Sequence, residues 1–391
     1  MAQPLAGVRV ADFSHVIAGP LATQFLCLLG AEVIKVEPPT GDVMRYYTKD
    51  RSRRGAAEPF VGSNAGKKSV VLDLKADSGR TAAQALIKTC DIFVENFRPG
   101  VASRLGLGSE ELARENPSLI YCSVSGYGQE GPHRDFPAID QVIQSVAGLM
   151  TLSGEEGDAA QRVGFPIVDT YSALLTAFAI LAAYVQRQAD PDAKGQVIDV
   201  SMFDATMVMM SSVIGPRLIS GLKPVRAGNR GFSGAPTADT FLTADGEITI
   251  GAVQQVQVER LFDIMGCSEF LQDPRFATPD ARLDNDAALQ TLMKDIFLTR
   301  SARDWELLLS KGGVPAGKVR DLDEALAFEK EHQRDLFLSV EDRVSGEPVR
   351  ILNAGFQFKH DGPGTSRPAP ELGEHTEEVL KSIGIVPTTA L

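Results

Sequence analysis

Cysteine is scarce and unpaired in this sequence. Cys27, Cys90, Cys122 and Cys267 are the only four among 391 residues. No two of them form C-x-x-C, and three sit in apolar stretches where a thiol packs as a small hydrophobe. Neither a disulfide framework nor a zinc site is expected. Histidine is equally thin: His15, His133, His332, His360 and His375 make five, none four residues from another as two ligands on one helix would be. No metal is expected. Long hydrophobic runs are missing too. The longest, residues 171–185, falls short of the roughly 20 residues that cross a bilayer. The opening MAQPLAGVRVADFS has neither the basic start nor the apolar centre of a signal peptide. The expectation is a cytoplasmic chain without a membrane span. Positive charge is in deficit, with 39 Lys and Arg against 51 Asp and Glu for a net charge of -12. Such a surface repels polyanions, so nucleic acid is a poor partner.

What is present is a rhythm. Hydrophobic content of 43% with 23% charged residues permits a sizeable core. Over roughly the first 215 residues, the β-rich runs VRVADFS, AEVIKVE, DIFVENF, LIYCSVSG and QVIDVSM alternate with helical patterns. That alternation predicts an α/β fold, with a Rossmann-like, mostly parallel sheet in a large domain. In PLATQFLCLLG, Pro20 suits a first helical position and Gly30 a C-terminal cap, predicting a helix between the first two strands. From about Pro224 the chain turns Gly-rich and then gives a hairpin with an Asp245-Gly246 turn. Helices follow at 257–266, 287–299 and 302–312. We read a large domain over 1–215, a smaller α+β domain over 225–328, and a C-terminal part, 345–391, returning to the large domain.

The signatures of several chemistries are absent. Glu37 ends the second strand where a dinucleotide fold would hold a ribose, yet the first turn, SHVIAGPLA, lacks G-x-G-x-x-G. Nicotinamide chemistry is not expected. SVSGYG lacks the leading glycine of a nucleophile elbow, which disfavours a serine hydrolase. Two isolated acids stand out instead: Asp140 in FPAIDQVIQSVAGLM and Asp169 in VGFPIVDTYSALL. Each suits a helix N-cap. Asp169 also suits a nucleophile, since a carboxylate at the start of an apolar helix is charged but poorly solvated. Basic residues gather at Arg51, Arg53 and Arg54, at Lys67, Lys68 and Lys75, and at Arg98 and Arg104. They read as a solvated face or as a clamp for a phosphate-bearing ligand.

Taken together, GVRVADFSHVIAGPLATQFLCLLGAEVIKVEPPTGD, NAGKKSVVLDLK, VENFRPGVASRLGL, YCSVSGYGQEGP, AIDQVIQSVAG and LGEHTEEVL resemble successive motifs of the family III CoA-transferases. That family includes formyl-CoA and carnitine CoA-transferases and a branch of α-methylacyl-CoA racemases. The likeness runs almost end to end and is weakest over about 220–345. It implies transfer of CoA from an acyl-CoA thioester to a carboxylic acid, with Asp169 as the nucleophile that forms a covalent aspartyl intermediate. It also implies CoA contacts at His15, Val16, Ile17, Ala18, Leu72, Lys75, Asn96, Phe97, Arg98, Arg104 and Asp140. Coenzyme A would serve as substrate and carrier with no metal, and the native unit would be an interlocked homodimer.

The likeness has limits. Formyl-CoA transferases carry glutamine where Ile17 stands. Their tetraglycine loop is also missing, the nearest glycines being Gly228, Gly231 and Gly234. In the racemising branch a histidine precedes the aspartate that Asp140 matches, but here the position is Ile139, and His133 lies upstream. A 2-methylacyl-CoA racemase and a non-catalytic CoA-binding protein are the alternative readings.

Overall fold

The computed structural model describes residues 3–386. Six parallel strands, β1 (Arg9–Asp12), β2 (Glu32–Glu37), β3 (Lys68–Val71), β4 (Ile92–Glu95), β5 (Ile120–Ser125) and β6 (Val197–Ser201), form a sheet in the order β3-β2-β1-β4-β5-β6. Successive strands step outward one way from β1 and the other way from β4, so the winding reverses between them. Open α/β sheets bind ligands at the carboxyl ends of the strands beside such a reversal. All residues of β4 and β5 are buried, in keeping with their mostly apolar sequences. Alternate residues feed opposite faces. Ala11, Ile34, Phe93 and Tyr121 pack on one side, and Val10, Val33, Ile92 and Cys122 on the other.

The connecting helices are α1 (Ala18–Leu28), α2 (Glu58–Asn64), α3 (Asp77–Lys88), α4 (Val101–Arg104), α5 (Ser109–Glu115), α6 (Asp140–Val146) and α7 (Ile167–Ala189). After β6 come α8 (Met202–Met209) and α9 (Ser211–Ser220). The first helix starts at Ala18, two residues before Pro20, and a left-handed Gly30 (φ +101°) follows its end. Gly19 is there for closeness: a Cβ would lie 2.2 Å from the Cβ of Ser14. Strand β3 does not stand among the runs read as strands, because it has only four residues and opens on lysine.

Helix α7 extends the apolar run read over 171–185 at both ends. By length and composition alone its 23 residues could cross a membrane, a test that a core helix also passes. One stripe, including Ala173, Ala177, Ile180 and Ala183, is buried, and the helix packs on α1, β5 and β6. Arg187 near its end is buried against Asp91 at 3.0 Å. The opposite side leaves Leu174, Phe178 and Val185 bare.

By contacts the chain divides into two compact units. One comprises the described residues up to Met150, Arg162–Pro224 and those from Arg334 onward; the other comprises Thr151–Gln161 and Val225–Gln333. The second unit holds an antiparallel sheet of β7 (Thr240–Leu242), β8 (Glu247–Ile250) and β9 (Ala316–Lys318). Its helices are α10 (Gln255–Met265), α11 (Pro279–Asp284), α12 (Asp286–Phe297), α13 (Ala302–Lys311) and α14 (Leu322–His332). Its core centres on Phe241, Phe262, Phe297 and Trp305. The chain ends in the first unit with a hairpin, β10 (Phe337–Glu341) and β11 (Pro348–Leu352), and α15 (Thr376–Ser382). Residues just before α15 and its first residue lie along the free edge of β3. Ser69 N–H donates to His375 Nδ1 at 3.3 Å and Val71 N–H to Thr376 Oγ1 at 3.0 Å, while His375 N–H donates to Ser69 O at 2.9 Å.

Candidate active site

The loop after β1 is held from below by buried charges. Asp12, fully buried, accepts from Lys67 Nζ at 3.0 Å, Thr23 Oγ1 at 2.6 Å and Ser14 N–H at 3.0 Å. Burial alone would raise its pKa, but Lys67 and Lys35 reverse that and bring it down to about 2. The same burial lowers Lys67 to about 8, with Asp12 opposing. Lys67 also donates to Pro20 O, Thr23 Oγ1 and Asn64 Oδ1. It is therefore neither a solvated charge nor part of a ligand clamp, because every direction its ammonium could take is occupied.

Lys35 donates to Ser14 O at 2.8 Å and pairs with Asp42 at 2.9 Å. Both oxygens of Asp42 accept the Val16 N–H at 3.3 Å. Val16 sits at φ +72°, a left-handed conformation that costs a β-branched residue of order 1–3 kcal/mol. Burial works against the charge of Asp42, yet His15, Lys35 and the Met44 N–H hold its carboxyl well below the usual range. Across the winding reversal, His15 N–H donates to Asn96 Oδ1 and Asn96 Nδ2 donates to His15 O, both at 2.8 Å. The loops after β1 and β4 are thus locked together.

Around this crevice the sequence-predicted residues fall unevenly. His15, Val16 and Ile17 line the β1 loop, and Ala18 opens α1 with its side chain buried. Asn96, Phe97 and Arg98 follow β4, and the Phe97 ring lies 6.2 Å from that of His15. Arg104 ends α4, where its Nη1 and Nη2 of Arg134 approach to 3.3 Å and 3.6 Å of the place a Cβ on Gly100 would take. Arg134 carried no sequence signal. Lys75 is exposed beyond β3, with no hydrogen bond or ion pair from its ammonium among the described residues. Leu72 is wholly buried in the core, and its N–H donates to Glu37 O. Elsewhere in the basic runs, Arg53 forms a bidentate pair with Asp342 and Lys68 pairs with Glu32 and Glu378. Glu37, the ribose-site lookalike, is bound by Arg45 and Ser69.

Asp169 is not the cap of its helix. The N-cap is Pro166, which brings no side-chain bond. The first amides of α7 are already taken: Ile167 N–H by Phe165 O at 2.8 Å and Thr170 N–H by Pro166 O at 3.0 Å. Val168 and Asp169 N–H both donate to Asp140 Oδ2, at 2.8 Å and 3.2 Å. The capping carboxylate therefore arrives from α6. Its other oxygen accepts from Gln144 Nε2 at 2.6 Å, and Gln144 Oε1 in turn accepts Val163 N–H at 2.9 Å. The i,i+4 spacing of Asp140 and Gln144 was the available signal for that pair. Ile143, Val168 and Met202, with Tyr127 and Phe203 beside them, form an apolar cluster around this junction.

The Asp169 carboxylate receives no hydrogen bond among the described residues. Burial, then the charge of Asp140, pushes its pKa from 3.8 up to about 7. A helix start would normally favour an anion, but its free donors have been spent on Asp140. The result is a half-buried, undonated carboxylate, more basic than usual and partly open to a reactant. At the racemase position Ile139 is exposed, while His133 is exposed in a ring cluster with Phe136 at 4.8 Å and Tyr127 at 6.1 Å. No group of three metal-ligating side chains occurs among the described residues.

The profile of a family described as CoA-transferase family III matches residues 5–376. An acetyl-CoA:oxalate CoA-transferase of Acetobacter aceti is 35% identical, the alignment covering 97% of this chain and 95% of that one. A succinate–glutarate CoA-transferase of Agrobacterium fabrum is 32% identical over 99% and 97%. A crystal structure of a CAIB/BAIF family protein from Brucella suis superposes with a TM-score of 0.87 at 31% identity, covering 98% of this chain and all of that one. The chain belongs to the family III CoA-transferases. It is an enzyme that uses CoA as substrate or carrier and moves it between acyl-CoA and carboxylate partners.

Proposed function

We propose that this enzyme transfers CoA between two carboxylic acids through covalent intermediates on Asp169. The observation that carries this is a carboxylate with no protein donor and a pKa of about 7 at the head of a long apolar helix. An Asp169 oxygen attacks the thioester carbonyl of the donor, its C–S bond breaks, and CoA leaves as thiolate with a mixed anhydride left behind. The thiolate attacks the Asp169 carbonyl carbon. The anhydride C–O bond breaks there, releasing the donor acid as carboxylate and leaving an aspartyl-CoA thioester. The acceptor carboxylate then displaces thiolate from that thioester, and the thiolate takes the acceptor's acyl group, regenerating Asp169.

CoA binding is assigned to the large domain, read as 1–215 with 345–391. His15–Ala18, Asn96–Arg98, Arg104 and Lys75 at the strand ends would meet the nucleotide and pantetheine. Oxalate, succinate and glutarate in the relatives' names are all dicarboxylates. We infer that at least one acid exchanged here carries a second carboxylate. A homodimer would cover Leu174, Phe178 and Val185 on α7 and the bare Leu218 and Ile219 on α9.

Enzyme incubated with an acyl-CoA alone should gain a hydroxylamine-labile CoA mass on the peptide bearing Asp169, and a panel of acids should show a dicarboxylate as the preferred acceptor. No adduct in an active preparation overturns the mechanism. Rapid α-deuterium incorporation into a 2-methylacyl-CoA without any acceptor favours the racemase.

A further inference from the structure

Asp140 is placed as though to cap a helix, but the helix it caps is the one carrying the nucleophile. Three N–H groups fix both of its oxygens, those of Val168 and Asp169 on Oδ2 and that of Gln144 on Oδ1. Gln144 has no exposed surface and is itself anchored to Val163. The Asp140 carboxylate therefore cannot swing away from Asp169, and no cation pairs with either acid among the described residues.

The other elements packed on α7 do not supply an equivalent charge. Helix α1 brings Cys27 but no charged side chain, and β5 brings Tyr121 and Cys122. Asp204 on α8 and Asp199 on β6 are exposed, and the latter is occupied by Gln129 N–H. Arg187 lies at the far end of α7, paired with Asp91. Only Asp140 faces Asp169 closely enough to shift it.

We propose that Asp140 is a positioning residue that drives the reaction toward its covalent states, by repelling Asp169 when it is a free carboxylate and having nothing to repel once it is an ester-like adduct. The inference rests on Asp169 being the nucleophile. In forming the aspartyl-CoA thioester, one negative charge leaves Asp169 and departs with the donor acid as its carboxylate, so the like-charged pair is reduced to one charge. Whatever free energy Asp140 adds to ionised Asp169 is released in the adduct, just as it is released on protonation. The two effects must then match. Each pH unit by which Asp140 raises the acid limb of kcat/KM should raise the ratio of adduct to free enzyme about tenfold.

The test uses Asp140→Asn, which keeps an acceptor for the Val168 and Asp169 amides while removing the charge, with Asp140→Ser as a second neutral capping variant should the first not fold. Two quantities are read on the folded protein: the pH at which kcat/KM falls on the acid side, and the adduct-to-free ratio by intact mass at pH 8.5 with equal acyl-CoA and released acid. The expected result is an acid limb moved toward the ordinary carboxylate range, with the adduct ratio falling about tenfold per unit of that movement. An unmoved limb, or an unchanged adduct ratio, in folded variants overturns the proposal. A fall in activity with both readouts unmoved would assign Asp140 to helix capping alone. Absence of any wild-type adduct would instead remove the aspartyl mechanism on which the inference stands.

Discussion

Asp169→Asn should abolish CoA transfer and yet make the folded protein more stable, increasingly so as pH rises. The structure places the Asp169 carboxyl at a pKa of about 7 against 3.8 when unperturbed, through burial and then Asp140. Below about pH 4 the carboxyl is protonated folded or unfolded, and the substitution changes little. Between pH 4 and 7 the unfolded chain has released a proton that the folded chain retains, so wild-type stability declines with rising pH. Above 7 the full cost is present. At 1.36 kcal/mol per unit the ceiling is about 4 kcal/mol; because the side chain is only half-buried and partly screened, about 1–2 kcal/mol is the reasonable expectation. Asparagine carries no such cost, and its N–H₂ adds a donor beside Asp140. Urea or thermal melts of both proteins at pH 4.5, 6 and 8 would measure the difference. A variant less stable than wild type at pH 8, or one shifted equally at all three, would show that the carboxylate is held by favourable contacts and that the reasoning is wrong.

Three further outcomes follow from the fold. Lys67→Met should cost about 3–5 kcal/mol by leaving Asp12 buried and unpaired, and adding Asp12→Asn should recover much of it, as denaturation midpoints would reveal. Gly19→Ala forces a methyl to within 2.2 Å of the Ser14 Cβ; the KM for acyl-CoA should rise severalfold as the β1 loop shifts, and an unchanged KM would count against that loop as a CoA contact. The proposed interlocked dimer should stay intact in sedimentation across a hundredfold dilution, because threaded chains cannot part without unfolding.

The parallel sheet was readable because its central strands are short, mostly apolar β-rich runs between helix signals, as in IFVE and IYCSVS. Strand β3 escaped because four residues opening on a lysine carry too little pattern. Lys67 was illegible for a different reason. A lysine in a charged run looks solvated until folding brings up Asp12, 55 residues away in sequence. Asp169 stood out because it is a lone acid heading an apolar helix, but that helix is capped by Asp140, the acid read as a cap of its own helix. Local pattern cannot show a hydrogen bond donated to a residue 29 positions earlier. Nor could it show that Asp140, held by Gln144, would spend the donors that make a helix start hospitable to charge.

The pairing of the C-terminal segment with β3 bears on solubility rather than on chemistry. An edge strand with free amides is a template for another chain, and here the amides of Ser69 and Val71 are satisfied by His375 and Thr376. Those partners are side-chain atoms at the start of a short helix, joined to the hairpin by a stretch with no regular structure between Leu352 and Thr376. Proteolytic nicking of that stretch would leave the crevice residues where they are while uncovering an adhesive edge. Self-association should therefore precede loss of the crevice when such a preparation ages.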